Sequence, residues 1–312
     1  MSAGTRGWTA EKRLVFAKIL SNAEIARTIY RMEFEIMDED GNSYPAPAPG
    51  QFINVYLTGG RMLLPRPFSV CDSAAGRLTL VYGAVGAGTR ALAGFAPGER
   101  IRVGPPAGNG FDVAAAGTAA GRGRIVLVGG GVGAAPLLLL ARRIRETLDG
   151  GDAEISGGMT FGGAASATGV VSGVNATYAP PARSPALHAV LGYRSEPFLV
   201  SAFEKYCDQT DVATDDGASG FHGTAVDLLK EQTLTGGEFF FACGPRVMLR
   251  ALARFAGGQG IPLQVSLEER MGCGYGACLG CACKVASPAE IQHRKVCKDG
   301  PVFNGSEVVW DV

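Results

Sequence analysis

The sequence has no excess of charge of either sign. Its 312 residues carry 29 basic and 29 acidic side chains, so the formal net charge is zero. A protein that binds a nucleic-acid backbone needs a basic surface, and this balance gives no sign of one. We therefore expect its partners to be small molecules and proteins, with no nucleic acid among them.

The sequence also lacks an apolar run long enough to cross a membrane. The longest run, Ile125–Ala141, is slightly short for a span and is interrupted by four Gly and one Pro. The first residues, MSAGTRGWTAEKRLVF, contain no apolar core of the kind found in signal peptides. Both absences predict a cytoplasmic protein without a membrane span.

Cysteine is present but unevenly distributed. Five of the eight Cys fall between Cys273 and Cys297, and the other three are Cys71, Cys207 and Cys243. In a chain without an export signal, clustered Cys are more often metal ligands or redox groups than disulfides. This part of the chain is therefore the first place to look for chemistry.

The patterning divides the chain into three regions, giving a multidomain protein of mixed α+β and α/β class. Short strands separated by Gly and Pro fill residues 1–120 and predict an antiparallel β-barrel. The predicted strands are Arg13–Leu20, Thr28–Ile36, Phe52–Leu57, Pro67–Cys71, Leu78–Val85 and Arg100–Val103. A small segment with the clustered Cys occupies residues 261–312, and a bound metal centre would supply the stability that its small core lacks.

Residues 121–260 alternate strands with helices, which predicts a parallel α/β domain. The predicted strands are Arg124–Val128, His188–Gly192 and Glu238–Ala242, and the predicted helices are Pro136–Leu148, Phe198–Asp208, Thr224–Leu234 and Pro245–Gly257. The stretch Gly150–Pro185 is rich in Gly, Ala, Ser and Thr and shows no clear period. We interpret it as an insertion after the first crossover helix.

The strongest chemical signal is the spacing of four cysteines. Cys273, Cys278 and Cys281 follow C-x4-C-x2-C, and Cys297 comes fifteen intervening residues later. This is the plant-type 2Fe–2S spacing. A structural zinc site usually has two CxxC pairs or mixed Cys and His ligands, so zinc is a weaker alternative, as are inert buried thiols. Cys283 would replace Cys281 only at the cost of the x2 spacing, so we expect it not to be a ligand.

Two turns have the character of nucleotide-binding sites. GGGVGAAP, residues 129–136, lies between a strand and an apolar helix, and Gly131 and Gly133 leave free amides at the helix start. A second turn, Cys243-Gly244-Pro245, also joins a strand to a helix. In an open α/β sheet both lie at the carboxyl edge, where ligands bind. Each turn taken singly also suits a purely structural connection.

A third signal lies in the β-rich region. In RPFSV, Arg66 is suited to pair with a phosphate and Ser69 to hydrogen-bond a ring, and GAGT, residues 86–89, offers amides for a second phosphate contact. By itself, RPFS is a poor signal, and it is more typical of an ordinary strand with a solvated Arg. This motif is informative only in combination with the other motifs in the chain.

Taken in order, these motifs resemble one known family. RPFSVCD, VYGAVGAGTRAL, PPAGNGF, GGGVGAAP, TDDGASGFHGT, FACGP and MGCGYGACLGC with VCKDGPVF are similar to the electron-transfer subunits of NAD-dependent dihydroorotate dehydrogenase. That family lies within the ferredoxin-reductase-like flavoproteins. The resemblance covers residues 11–148 and 188–309. The 150–185 insertion and Cys283 depart from it.

The resemblance implies FAD, a 2Fe–2S cluster and NAD as cofactors. It implies that FAD is contacted by Arg66, Pro67, Phe68, Ser69, Leu80, Val81, Tyr82, Gly88 and Thr89, and that iron is held by Cys273, Cys278, Cys281 and Cys297. The implied partner is an FMN-bearing subunit that oxidises dihydroorotate, in a heterotetramer, with electrons passing through the cluster and FAD to NAD+. No catalytic proton-transfer residue is expected.

Two alternatives to this function remain open at this stage. The first is a reductase subunit that couples NAD(P)H to another acceptor, such as ferredoxin, polysulfide or a glutamate synthase-like partner. The second is a non-catalytic, zinc-bound interaction protein with a reductase fold. The choice of NAD over NADP rests on the resemblance, because the sequence shows no clear acidic partner for a ribose.

Overall fold

A computed structural model describes residues 14–37, 44–57, 62–120, 123–149 and 185–310, so nearly all of the proposed insertion lies outside the described residues. The chain forms two main sheets and one hairpin. The strands are β1 (Val15–Ala26), β2 (Ile29–Met37), β3 (Phe52–Tyr56), β4 (Arg66–Ala74), β5 (Arg77–Gly83), β6 (Arg100–Val103), β7 (Arg124–Gly130), β8 (Ala186–Tyr193), β9 (Gln209–Thr214), β10 (Phe221–His222), β11 (Glu238–Cys243), β12 (Leu263–Ser266), β13 (Ala282–Ala286), β14 (Ile291–Lys295) and β15 (Val302–Asn304). The helices are α1 (Ala87–Ala93), α2 (Val113–Ala120), α3 (Ala134–Leu148), α4 (Val200–Phe203), α5 (Ala225–Glu231) and α6 (Arg246–Gln259).

The first six strands close into a barrel in the order β1-β2-β5-β4-β3-β6, with antiparallel pairing throughout. Alternation of side chains along each strand gives the barrel its core. In β3, for example, Ile53 and Val55 are completely buried among the barrel's apolar side chains. The predicted antiparallel β-barrel is confirmed, and each predicted strand is present with its ends moved by a few residues.

The second sheet has the order β10-β9-β8-β7-β11-β12-β15, and every pair is parallel except the last. Successive residues of its central strands face opposite sides, as the strand period requires. In β11, Phe239 and Phe241 pack with α3, whereas Phe240 packs on the other face with Leu249 of α6. The predicted α/β domain is therefore confirmed.

The region with the clustered Cys does not have a separate core. Cys281, Cys283 and Cys297 are buried in the same apolar cluster as the β11 and β12 side chains. The sheet also continues past residue 260, because β12 pairs with β11 and β15 pairs with β12. The region with the clustered Cys therefore depends on the parallel sheet for its stability. The sequence shows only that this region has few apolar residues, and does not show which core they join.

Some predicted elements differ from the observed ones. The helix predicted over Phe198–Asp208 is only the single turn α4, because the chain then enters strand β9. Asp208 fixes this transition: its amide donates to the Leu187 carbonyl, and its carboxylate accepts the Leu187 amide, at 2.8 Å each. Five further parts of the fold had no predicted counterpart in the sequence, namely α1, α2, β9, β10 and the strands after residue 260.

Barrel and α/β domain meet along α3. Arg142 of α3 forms an ion pair of 2.7 Å with Asp72 of β4, and Cys71 is completely buried beside the helix. This places the carboxyl edge of the parallel sheet next to the barrel. Among the described residues, no helix is both long and apolar enough to cross a membrane.

Candidate functional site: a thiol cluster, a flavin seat and a nucleotide cavity

The four predicted iron ligands come together as two pairs of thiols. Cys278 lies close enough to Cys273 to lower its pKa, and Cys281 lies close enough to Cys297 to raise its pKa. Cys278 is exposed, whereas Cys281 and Cys297 are 2% exposed each. Cys281 and Cys297 are 16 positions apart in the sequence, and a hydrogen bond of 3.4 Å from the Cys297 amide to the Cys281 sulfur joins them.

Backbone amides of the loop point at the sulfurs. Tyr275 and Ala277 donate to Cys273 Sγ at 3.5 and 3.2 Å, and Gly280 donates to Cys278 Sγ at 3.5 Å. Burial raises the pKa of the Cys273 thiol, but hydrogen bonds from the Tyr275, Cys278 and Ala277 backbone, together with the neighbouring Cys278 side chain, lower it to about 6. A thiol with this pKa is largely thiolate at neutral pH, which is the form that binds iron.

The second pair is chemically different. Burial, followed by the hydrogen bond and the charge of Cys281, raises the pKa of Cys297 to about 12. A cation bound at this pair would reverse that balance, because a coordinating thiol is deprotonated by the metal.

The donor set tests the fit of the metal group. All four residues of the cluster are Cys, and the amides of Tyr275, Ala277 and Gly280 point at two of their sulfurs. A 2Fe–2S group takes four thiolates. The residues present fit the 2Fe–2S group.

Cys283 is set apart from these four thiols. It lies in β13 opposite Arg294, buried in the core that the segment shares with the sheet. Burial, reinforced by the charge of Glu269, raises the pKa of its thiol to about 11. The charge of Cys281 also raises this pKa. Its placement supports the expectation that Cys283 is not a ligand.

The flavin motifs meet where β4 begins. The Arg66 guanidinium lies directly against the Cα of Gly88, so closely that a side chain at Gly88 would collide with it. Gly88 is in the first turn of α1, where Thr89 closes the turn by accepting the Gly86 amide at 3.0 Å. An arginine beside exposed helix amides is a fitting cradle for a phosphate. RPFS and GAGT thus lie side by side.

Aromatic side chains border this cradle. The rings of Phe68 and Tyr82 are 5.4 Å apart, and Tyr30 stacks on Tyr82 at 5.8 Å. The Tyr82 hydroxyl donates to Asn22 at 2.9 Å, and burial raises the pKa of Tyr82 to about 12. This tyrosine therefore stays neutral and rigid beside any bound ring.

The remaining predicted flavin residues occupy different positions. Pro67 and Ser69 lie half-buried in β4, opposite Asn54 and Phe52 of β3. The side chain of Leu80 is completely buried in the barrel core, and that of Val81 is buried between the barrel and α3. The contacts of all these residues with FAD stay predictions.

The two glycine-rich turns pack against each other. A side chain on Gly133 would collide with the Cys243 carbonyl, and one on Gly244 would lie 3.0 Å from the Gly130 backbone. The neighbouring parallel strands β7 and β11 explain this, since Cys243 is the register partner of Gly129. Glycine is required here by close backbone approach, and Pro245 ends the second turn at the start of α6.

Beside the two turns, a cavity of about 810 Å³ opens between the barrel and the sheet. Its lining includes Gly131 and Pro245, together with Arg194, Asp215 and Thr224, which were not among the predicted site residues. Of these three, Asp215 and Thr224 belong to the TDDGASGFHGT motif. These three residues follow strands β8, β9 and β10, so the rule for carboxyl edges of parallel strands was the available signal. A cavity of this size and place suits a dinucleotide.

The barrel contributes one wall of the cavity. Arg27, Thr28 and Ile29, at the turn between β1 and β2, line it opposite Val247 of α6. The Arg27 amide donates to Glu196 of the loop after β8 at 2.9 Å, which ties the two walls together. A dinucleotide bound here lies at the boundary of the two domains.

Comparison with known proteins agrees with this arrangement. A family described as the iron–sulfur cluster binding domain of dihydroorotate dehydrogenase B matches residues 268–309. The chain is 33% identical to the dihydroorotate dehydrogenase B (NAD(+)) electron transfer subunit of Caldanaerobacter subterraneus subsp. tengcongensis, over 94% of this chain and 98% of that protein. Identity to the subunit of the same name from Bacillus caldolyticus is 37%, over 84% and 86%.

Solved structures show the same fold. An NADH-dependent reduced ferredoxin–NADP oxidoreductase superposes with a TM-score of 0.69 and 26% identity, over 95% of this chain and 90% of that chain. A ferredoxin NADP+ reductase from Neisseria gonorrhoeae with bound FAD and NADP superposes with a TM-score of 0.58, over 80% and 98%. At 17% identity, the second likeness concerns the fold alone.

Proposed function

Because this chain belongs to the family of electron transfer subunits of dihydroorotate dehydrogenase B, we propose that it carries electrons from a dihydroorotate-oxidising subunit to NAD+. The observation that carries this function is the thiol cluster. Two pairs of thiols, with loop amides aimed at their sulfurs, lie at the edge of a protein that also has a flavin cradle and a dinucleotide cavity.

The chain holds FAD, a 2Fe–2S cluster and NAD. Cys273, Cys278, Cys281 and Cys297 hold the irons, Arg66 with the start of α1 holds the flavin phosphates, and the Gly131–Gly133 and Cys243–Pro245 turns hold NAD. When bound, the flavin supplies exchange between one-electron and two-electron transfer, and the cluster supplies one-electron transfer.

The chain's own residues position these groups and exclude water. The tight contact of the two glycine turns brings the cavity wall close to the barrel, and the Arg142–Asp72 ion pair holds β4 against α3. Since α3 begins at the first glycine turn and β4 carries Arg66, this pair links the two nucleotide seats. No side chain is needed as an acid or base for hydride exchange.

We assign the oxidation of dihydroorotate to another polypeptide, because the relatives of this chain are named electron transfer subunits. We place an FMN-bearing subunit in that role, in a heterotetramer. Its docking surface is the edge of the thiol loop, where Tyr275 and Leu279, 48% and 63% exposed, flank the exposed Cys278.

The clustered thiols also bear on the cellular compartment of the protein. Clustered cysteines that must stay reduced until they bind iron are typical of proteins in a reducing environment, so we place this activity in the cytoplasm.

Reconstitution tests the proposal. Anaerobically purified chain is expected to contain two irons and one FAD, to reduce artificial acceptors with NADH, and to leave dihydroorotate unchanged. Adding the FMN subunit is expected to create dihydroorotate:NAD+ activity that neither chain shows alone. Stoichiometric zinc without iron would contradict the cluster, and turnover of dihydroorotate by the isolated chain would contradict the division between subunits.

The same assay separates the alternative acceptors. The likeness to the ferredoxin–NADP oxidoreductase, at 26% identity, favours ferredoxin as the alternative to test. A chain that exchanges electrons with ferredoxin faster than with the FMN subunit, at equal concentrations, would assign it to that class instead.

A further inference from the structure

Asn54 is a buried polar residue between the flavin strand and the thiol loop. It lies in β3 opposite Pro67 of the RPFS motif, and it is 6% exposed. Its neighbours Ile53 and Val55 point into the barrel core. Because side chains alternate along a strand, Asn54 points to the outside of the barrel, where the thiol loop covers it.

The Asn54 amide contacts the loop at Gly274. Its Nδ2 donates to the Gly274 carbonyl at 3.4 Å, across 220 positions of sequence. Gly274 has a φ of +74°, and a Cβ there would lie 2.5 Å from the amide atoms of Asn54. The loop therefore has no room to move toward the barrel. If the Asn54 side-chain amide were rotated by 180°, its Oδ1 would face the Gly274 carbonyl oxygen, and both atoms are acceptors.

The peptide that Asn54 contacts is also the one that reaches a predicted iron ligand. Its carbonyl belongs to Gly274 and its N–H to Tyr275, which donates to Cys273 Sγ at 3.5 Å. The carbonyl and N–H of a trans peptide lie in one plane and point in opposite directions. A donor that fixes the carbonyl thus fixes the direction of the N–H toward the sulfur, and the two hydrogen bonds polarise each other.

Asn54 itself is firmly anchored. Its own carbonyl accepts the Gly104 amide at 2.8 Å, and β3 pairs with strands on both sides. Its Oδ1 is buried and has no partner among the described residues, so the contact with Gly274 is the one hydrogen bond found for this side chain. A buried side-chain amide with a single hydrogen bond needs an explanation, and here that hydrogen bond goes to the thiol loop.

We propose that Asn54 is a positioning residue that tunes the iron–sulfur centre: by holding the Gly274–Tyr275 peptide, it maintains the hydrogen bond to the Cys273 sulfur and raises the reduction potential of the cluster. Hydrogen bonds to cluster sulfurs set such potentials because they stabilise the negative charge gained on reduction. Partners that orient ligands from outside act in the same way at other metal sites. The proposal rests on the proposed function, which places the cluster at Cys273.

The position of Asn54 gives this role a consequence for the chain as a whole. Asn54 lies on the strand that pairs with the RPFS strand, so the same side chain links the flavin seat to the cluster loop. The barrel, and not only the thiol segment, then determines how easily the cluster accepts an electron.

The test is an anaerobic redox titration of the purified holoprotein, followed by electron paramagnetic resonance of the reduced cluster. For Asn54→Ala, we expect the ratio of reduced to oxidised cluster at a fixed potential to fall about threefold, which is about 28 mV for a one-electron couple at 59 mV per tenfold. Asn54→Leu keeps the branched shape of the side chain without its donor. If Asn54→Ala loses the cluster, we expect Asn54→Leu to show the same shift in potential.

Asn109→Ala is the matched control. Asn109 also joins the N-terminal half to the C-terminal segment, with Nδ2 donating to the Val302 carbonyl at 2.8 Å and Oδ1 accepting the Val302 amide at 2.9 Å. It makes stronger hydrogen bonds than Asn54 but none to the thiol loop. We expect Asn109→Ala to lower thermal stability and leave the cluster potential unchanged.

The outcomes separate this inference from the proposed function. If the cluster in the Asn54 variants has the same reduction potential as in wild type and in Asn109→Ala, the proposed role of Asn54 is wrong. The assignment of the cluster is not affected by that result. Absence of a reduced-cluster signal in the iron-loaded wild type overturns the proposed function, and this inference with it.

Discussion

The guanidinium of Arg66 rests on the Cα of Gly88. The two residues belong to different motifs, one at the start of β4 and the other in the first turn of α1, and their contact leaves no space for a side chain at Gly88. An arginine held against a helix start presents a charge and backbone amides on the same side. That combination suits the phosphates of a flavin.

Truncation of the arginine tests its role directly. Arg66→Ala is expected to weaken FAD binding by about a hundredfold, since a charge-assisted phosphate pair contributes on the order of 2–3 kcal/mol. NADH binding is expected to change little, because the dinucleotide cavity is lined by other residues. Flavin retention after gel filtration is the measurement, and full retention would make Arg66 an ordinary strand residue.

A methyl group on Gly88 provides a second test of the same contact. Gly88→Ala displaces the guanidinium, and we expect FAD to bind about tenfold more weakly, which corresponds to about 1.4 kcal/mol. Gly94→Ala, at the other end of α1, is the control, because the nearest atom to its added Cβ is 3.4 Å away. Equal FAD affinity of the two variants would contradict the contact.

The pairing of the thiols predicts which cysteine can be replaced. Cys278→Ser breaks the pair with Cys273 and is expected to abolish the cluster, whereas Cys283→Ser is expected to keep it. Iron content and electron paramagnetic resonance of the reduced variants are the readouts. Loss of the signal in Cys283→Ser, with retention in Cys281→Ser, would reverse the assignment of the third ligand.

Thiol pKa values predict how the iron-free protein reacts. The pKa of Cys273 is about 6, so at pH 7 this group is mostly thiolate, whereas Cys297, with a pKa of about 12, is protonated. Iodoacetamide is expected to label Cys273 well before Cys297 at pH 7, because the thiolate is the nucleophile. The Cys273 rate should fall as pH drops through about 6, as mass spectrometry of labelled peptides can follow. Equal rates at pH 7 would contradict this difference.

The two glycine turns predict a selective effect on NADH. Gly133→Ala places a methyl group against the Cys243 carbonyl and is expected to raise the KM for NADH at least tenfold by separating the turns. Bound flavin is expected to remain. Gly257→Ala, within α6, is the control because its Cβ meets nothing within 4 Å. A normal KM in Gly133→Ala would show that the turns need not touch.

Local patterns were sufficient for the elements with strong periodicity or special spacing. The barrel strands and the strand–helix alternation follow from apolar residues recurring at the period of each element, and the ligand set follows from the spacing of Cys273, Cys278 and Cys281. The helix predicted from Phe198 failed because Asp208 bonds to Leu187 of a neighbouring strand. That interaction joins residues distant in sequence and has no local signature.

The sequence by itself determined the three kinds of module and predicted the residues that hold each cofactor, because turn chemistry, side-chain alternation and thiol spacing are properties of short segments. Only the tertiary structure decided how these segments combine. It set Arg66 on Gly88, packed Gly133 on Cys243, buried the thiol segment in the core of the sheet, and placed Asn54 against Gly274. Such contacts depend on strand order and on close backbone approach, which arise only when the whole chain has packed.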